Sequence, residues 1–247
     1  MTKLYQKSEI TFAILWIAAY VFLTSIADQL SEAAGVIKSV TAVLHIVMSL
    51  ILFHWIRANH LYRKYGLCRS EVPAKRFLYY CPLVITVLMA FLGGIRTQYT
   101  FPETGLYIVS MCCVGFLEEI IFRGLLFRAM EKDNLKSAIC VSALTFGFGH
   151  IVNLFNGSGR ELAETLIQIV FAVLVGFVLV LIFFHGKSLI PCILFHSANN
   201  ALRVFAAEER LNTTTEMIIN LAMIVIVLGG YLFYLMKEFP IKDNLQH

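Results

Sequence analysis

The sequence predicts an all-α, polytopic bundle of about eight transmembrane helices with both termini in the cytoplasm, and three observations carry that expectation. Hydrophobic residues are 59% of the 247, charged residues only 15%, and mean hydropathy is +0.77, whereas a soluble domain holds about 45–50% apolar and about 25% charged residues. Uncharged stretches of bilayer length recur along the chain. Lys and Arg are divided unevenly between the segments that join those stretches.

In order along the chain, 10–26, 39–56, 77–95, 165–184 and 217–236 read as plain spans. Lys3 and Lys7 ahead of the first resemble the start of a signal peptide. The length of that span, its Trp16 and Tyr20, and the want of a small-residue cleavage site read instead as a retained anchor. Three further spans, 104–130, 137–154 and 188–205, are interrupted by polar clusters. The plain spans are therefore scaffold and the interrupted ones hold the site. No internal repeat or linker divides the chain, so residues 1–247 read as one membrane domain whose motif-bearing core is roughly 104–205.

With an inside N-terminus and eight crossings, fifteen of the 20 Lys and Arg fall on the inner side. They include Lys3, Lys7, the run from Arg57 to Arg76, and the group from Arg123 to Lys136. Lys38, Arg96, Arg160, Arg203 and Arg210 are left outside, an asymmetry that puts both termini in the cytoplasm. The basic run 57–76 reads as a topogenic loop against anionic lipid, with no nucleic-acid role. The six cysteines show neither metal-ligand spacing nor a disulfide framework.

The chemistry is concentrated in three clusters: Glu118-Glu119 followed by Arg123, Phe146 followed by His150, and His196 followed by Asn200. A charge at mid-bilayer costs roughly 3 kcal/mol, so each ionisable group there needs a partner or a task. On a helix, residues four apart share a face. Glu119 and Arg123 can thus pair, while Glu118, about 100° away, is left to face a cavity as a general base. Phe146 with His150, and His196 with Asn200, repeat the spacing. A carboxylate, two imidazoles and a carboxamide in one pocket can activate water and steady an oxyanion. Each element also has a plainer role. His45, His54, His60, His185 and His247 read as ordinary hydrogen-bonded histidines, Gly147 and Gly149 as helix-packing residues, and Glu119–Arg123 alone as a structural ion pair. Helical rise brings Glu118 and His196 to one depth in the inner half of the bilayer. His150 stands too far out unless its helix starts near Val141 or breaks near Gly147 and Gly149.

Together these residues resemble the CAAX protease and bacteriocin-processing family, also called the ABI family, whose boxes read EExxxR, FxxxH and HxxxN in that order. Here they are Glu118, Glu119 and Arg123, then Phe146 and His150, then His196 and Asn200. The resemblance implies a glutamate-dependent intramembrane endopeptidase in which Glu118, helped by His150, activates water and His196 with Asn200 stabilises the oxyanion. Glu119 and Arg123 hold the first box in place. It implies no cofactor. A zinc-dependent variant using Glu118, His150 and His196 ranks second, because FxxxH lacks the paired His-x-x-x-His spacing. The expected partners are membrane lipids and a peptide or membrane-protein substrate. The compact chain suits a prokaryotic cell membrane. Two other classes compete: a non-catalytic membrane partner, such as a bacteriocin immunity factor or a regulator of a sensor protein, and a proton-relaying transporter, which the lack of inverted repeats disfavours.

Overall fold

A computed structural model describes residues 1–154, 162–207 and 214–241 of the chain. Among them are nine helices and no strand: α1 (Thr2–Lys7), α2 (Glu9–Ala33), α3 (Ser39–Ala58), α4 (Cys81–Met89), α5 (Phe101–Met130), α6 (Leu135–Phe148), α7 (Leu162–Gly186), α8 (Ile190–Ala201) and α9 (Met217–Glu238). Side-chain oxygens start several of them. Ser8 accepts from the Thr11 amide at 3.1 Å at the head of α2, and Thr100 with Glu103 forms a capping box at α5. Asn134 accepts from the Ser137 amide at 2.9 Å, so α6 begins at Leu135 rather than near Val141.

Among the described residues six helices are long and apolar enough to cross a membrane: α2, α3, α5, α6 with its 3-10 extension Gly149–Leu154, α7 and α9. Two of the expected spans are shorter. Segment 77–95 yields only the nine residues of α4, about 13 Å of helix. Leu78, Tyr79 and Tyr80 take left-handed backbone conformations immediately before it, and Gly94, at φ 105°, turns the chain after it. In 188–205, α8 has 12 residues and is prolonged by the 3-10 turn Leu202–Phe205. Its C-terminal end is tied to the stretch after Gly94 by the Ile95–Ala206 bridge.

The centre of the bundle is α5, which packs on α2, α3, α6 and α8. Every residue from Glu119 to Phe127 is buried. Outward-facing Phe22, Val43, Leu50 and Ile226 are apolar and exposed, as a lipid-facing surface requires. Both described chain ends lie at one end of the bundle. Thr2 reaches Asn59 at 3.4 Å and Lys64 reaches Glu9 at 2.7 Å, while Arg76 pairs with Glu238 at 2.8 Å. Burial works against the charge on Lys64, but its hydrogen bonds to Glu9 and Tyr5 outweigh that and raise its pKa. All six cysteines are free thiols.

Candidate active site

The site begins with a change in the α5 backbone. At Glu119 the α-helical ladder widens into a π-helical stretch, Glu119–Phe127, a feature that recurs at functional sites. The wider turn disturbs the carbonyl ladder, and Ser142 of α6 donates to the Phe122 carbonyl at 2.9 Å. Two adjacent carboxylates consequently meet different surroundings. Glu119 is fully buried and accepts from Arg123 Nη1 at 3.1 Å, both side chains being 0% exposed. The side chain of Glu118 is 12% exposed and takes no part in that pair. The i,i+4 pairing expected of Glu119 and Arg123 is therefore formed, and Glu118 lies outside it.

His196 of α8 lies between the two. Its Nδ1 is 2.9 Å from Glu119 Oε1 and its Nε2 3.4 Å from Glu118 Oε2. The close approach of α8 to α5 is what allows this. A Cβ at Gly115 would lie 2.6 Å from the Ser197 backbone nitrogen, and Ser197 Oγ donates to the Cys112 carbonyl at 3.1 Å. Two carboxylates and one guanidinium leave a net negative charge in a low-dielectric bundle.

Phe146 is the hub that joins the second cluster to the first. The Arg123 guanidinium sits 4.1 Å over its ring, and the ring meets His196 edge-on at 5.6 Å and His150 at 5.8 Å. His150 stands one turn further along, where α6 passes into its 3-10 extension at Gly149. Its Nδ1 faces Gln168 Nε2 of α7 at 3.2 Å, and Gln168 in turn accepts from Asn153 at 2.9 Å. The break expected near Gly147 and Gly149 therefore falls at Gly149. Gly147 serves packing, since a Cβ there would meet the Val173 backbone nitrogen at 2.9 Å. Asn200 lies one turn beyond His196 on α8 and accepts from Asn199 at 3.1 Å.

Sequence reasoning missed three neighbours of the site. Gln168 orients His150, and Asn199 is 4% exposed beside Asn200. Tyr20 of α2 donates to Glu118 Oε1 at 2.7 Å. The available signal was the recurrence of Tyr20, Thr24, Asp28 and Ser31 along one face of a span otherwise read as plain scaffold. His45 is the satisfied core histidine expected of it, 1% exposed and bonded through both ring nitrogens, to Thr24 at 3.1 Å and Ser110 at 3.0 Å.

The donors named for a zinc variant do not assemble as a set. Glu118 and His196 meet, whereas His150 is turned to Gln168. No group of three or more His, Cys, Asp or Glu among the described residues is arranged to hold a metal ion.

Residues 100–202 match the family model described as type II CAAX prenyl endopeptidase Rce1-like. This stretch, from the start of α5 through α8, is thus similar to that family. It contains all three boxes and leaves α1 to α4 and α9 outside. No curated protein and no solved structure matches the chain.

Proposed function

We propose that this chain is a CAAX-type intramembrane endopeptidase that uses Glu118 as the base for a water molecule, without a cofactor. The observation that carries the reading is the contrast between the two carboxylates: Glu119 is consumed by Arg123, while Glu118 is held at 2.7 Å by Tyr20 and faces His196 at 3.4 Å. In the proposed step Glu118 takes a proton from water as the water oxygen bonds to the scissile carbonyl carbon. That proton then passes to the leaving nitrogen as the C–N bond breaks, and the acid and amine products separate. His196, through Nε2, and the Asn200 amide are the donors for the oxyanion. His150, held by Gln168, orders the water. Its place one turn beyond Phe146 suits a group acting through solvent rather than directly on Glu118. Substrates are taken to be peptide or membrane-protein segments reaching the site within a prokaryotic cell membrane.

The test compares cellular membrane proteomes of wild type and Glu118→Ala. A protease leaves at least one peptide uncleaved in the variant. Purified Glu118→Gln, nearly isosteric, is expected to cleave that peptide 10²- to 10⁴-fold more slowly, the usual cost of a lost general base. Identical proteomes, or a Gln variant of near wild-type rate, overturn the reading and favour a non-catalytic membrane partner that uses the pocket for binding.

A further inference from the structure

Tyr20 lies outside the matched segment and outside all three boxes, on a helix read from the sequence as scaffold. Its hydroxyl is nevertheless the nearest hydrogen-bond donor to Glu118, at 2.7 Å against 3.4 Å for His196 Nε2. The ring is 7% exposed and stacks on His45 of α3, with centroids 5.9 Å apart and planes at 29°.

The stack is itself anchored. Tyr20, Thr24, Asp28 and Ser31 follow one another at helical spacing on α2, and the other three are tied to α3. Thr24 meets His45 at 3.1 Å, Asp28 binds Thr41 at 2.6 Å and Lys38 at 2.7 Å, and Ser31 meets Thr41 at 3.1 Å. His45 continues to Ser110 of α5 at 3.0 Å. Three helices are thus pinned together by polar contacts in an apolar bundle, where a hydrogen bond has little competition from water. That ladder fixes the His45 ring on which the phenol stacks.

We propose that Tyr20 is a positioning residue for Glu118: its hydrogen bond holds one carboxylate oxygen so that the other is presented to water and to His196. This deepens the assignment of Glu118 as the base and rests on it. The groups facing Glu118 are Tyr20 from α2, with His45 behind it on α3, His196 from α8, and Glu119 and Arg123 on its own helix. Of the two that touch its oxygens, Tyr20 alone can be changed without also unseating Glu119, to which His196 is bonded.

The test reads Glu118 directly and needs no substrate. Dicyclohexylcarbodiimide modifies carboxyl groups that carry a proton, so the pH at which half of the Glu118 in purified full-length protein is labelled, located by peptide mapping, reports how well its charged form is held. Tyr20→Phe keeps the ring on His45 and removes the donor. Its labelling midpoint is expected to move up by about one pH unit, the worth of a hydrogen bond to a charged group. Difluorotyrosine at position 20, a stronger donor of nearly the same shape, is expected to move it down and provides the comparison if Tyr20→Phe does not fold. On a peptide cleaved by wild type but not by Glu118→Gln, Tyr20→Phe is expected to lower kcat about tenfold with KM unchanged and to displace the acid limb of the rate profile upward. Unmoved midpoints overturn the proposal and leave the catalytic reading standing. An active Glu118→Gln overturns the catalytic reading, and the proposal falls with it.

Discussion

The polar cluster depends on which atom each side chain spends on its neighbour. His196 uses Nδ1 on Glu119 and turns Nε2 toward Glu118, so His196→Ala removes a support of the buried ion pair as well as an oxyanion donor. Asn200 takes no part in that pair. Asn200→Ala is therefore expected to lower turnover by on the order of 10²–10³ with the smaller loss of melting temperature, whereas His196→Ala lowers turnover and takes the larger melting loss. Equal melting losses in the two variants would contradict this division. The same donor placement predicts that activity survives exhaustive chelation and that purified active protein holds well under one metal per chain. Loss of activity with a stoichiometric metal, restored by zinc, would replace the proposed chemistry while keeping the pocket. At this scale the sequence was legible wherever a polar residue stood inside a span of bilayer length, because burial in lipid makes such residues costly. Tyr20 escaped notice because a tyrosine in an apolar helix is also an ordinary interfacial or core residue, and its partner lies 98 positions away.

Elements hold these atoms by close approach and by charge. Glu119 and Arg123 lie on consecutive turns of the π-helical stretch of α5, and both are fully buried. Glu119→Ala leaves a guanidinium over Phe146 with no carboxylate, and breaking a buried pair costs about 3–5 kcal/mol. Folded yield is expected to fall before specific activity per folded molecule does. Glu119→Ala combined with Arg123→Leu should recover much of that yield, because replacing a buried pair by apolar groups is often neutral or stabilising. Detergent-solubilised yield and melting temperature check this, and a double variant as poor as the single one would show that the pair does more than neutralise itself. The i,i+4 pairing was readable from spacing alone. The π-helical widening was not, since residue spacing does not distinguish such a stretch from ordinary α-helical turns. Nor was the start of α6, where the Asn134 cap lies outside the apolar run that marks a span.

For the whole molecule, hydropathy was enough to read an all-helical membrane bundle, because a long uncharged run has few other soluble fates. It was less able to give helix lengths. Segment 77–95 is as apolar as a true span, yet three left-handed residues before α4 and a glycine turn after it reduce the helix to nine residues, and composition does not register backbone turns. Direction is the property that decides where substrate enters. The pairs Thr2–Asn59, Lys64–Glu9 and Arg76–Glu238 gather both described chain ends and the basic loop 59–76 at one end of the bundle. The excess of Lys and Arg at that end favours the cytoplasm by the positive-inside rule. A fluorescent protein that matures only in the cytoplasm should therefore fluoresce when fused to either terminus, and an alkaline phosphatase that works only outside should be inactive at both. Cys68, half-buried in the same loop, should react with a membrane-impermeant maleimide only after cells are opened. The opposite pattern at both ends would invert the protein. Opposite patterns at the two ends would mean an odd number of crossings, which the gathering of both chain ends on one face does not allow.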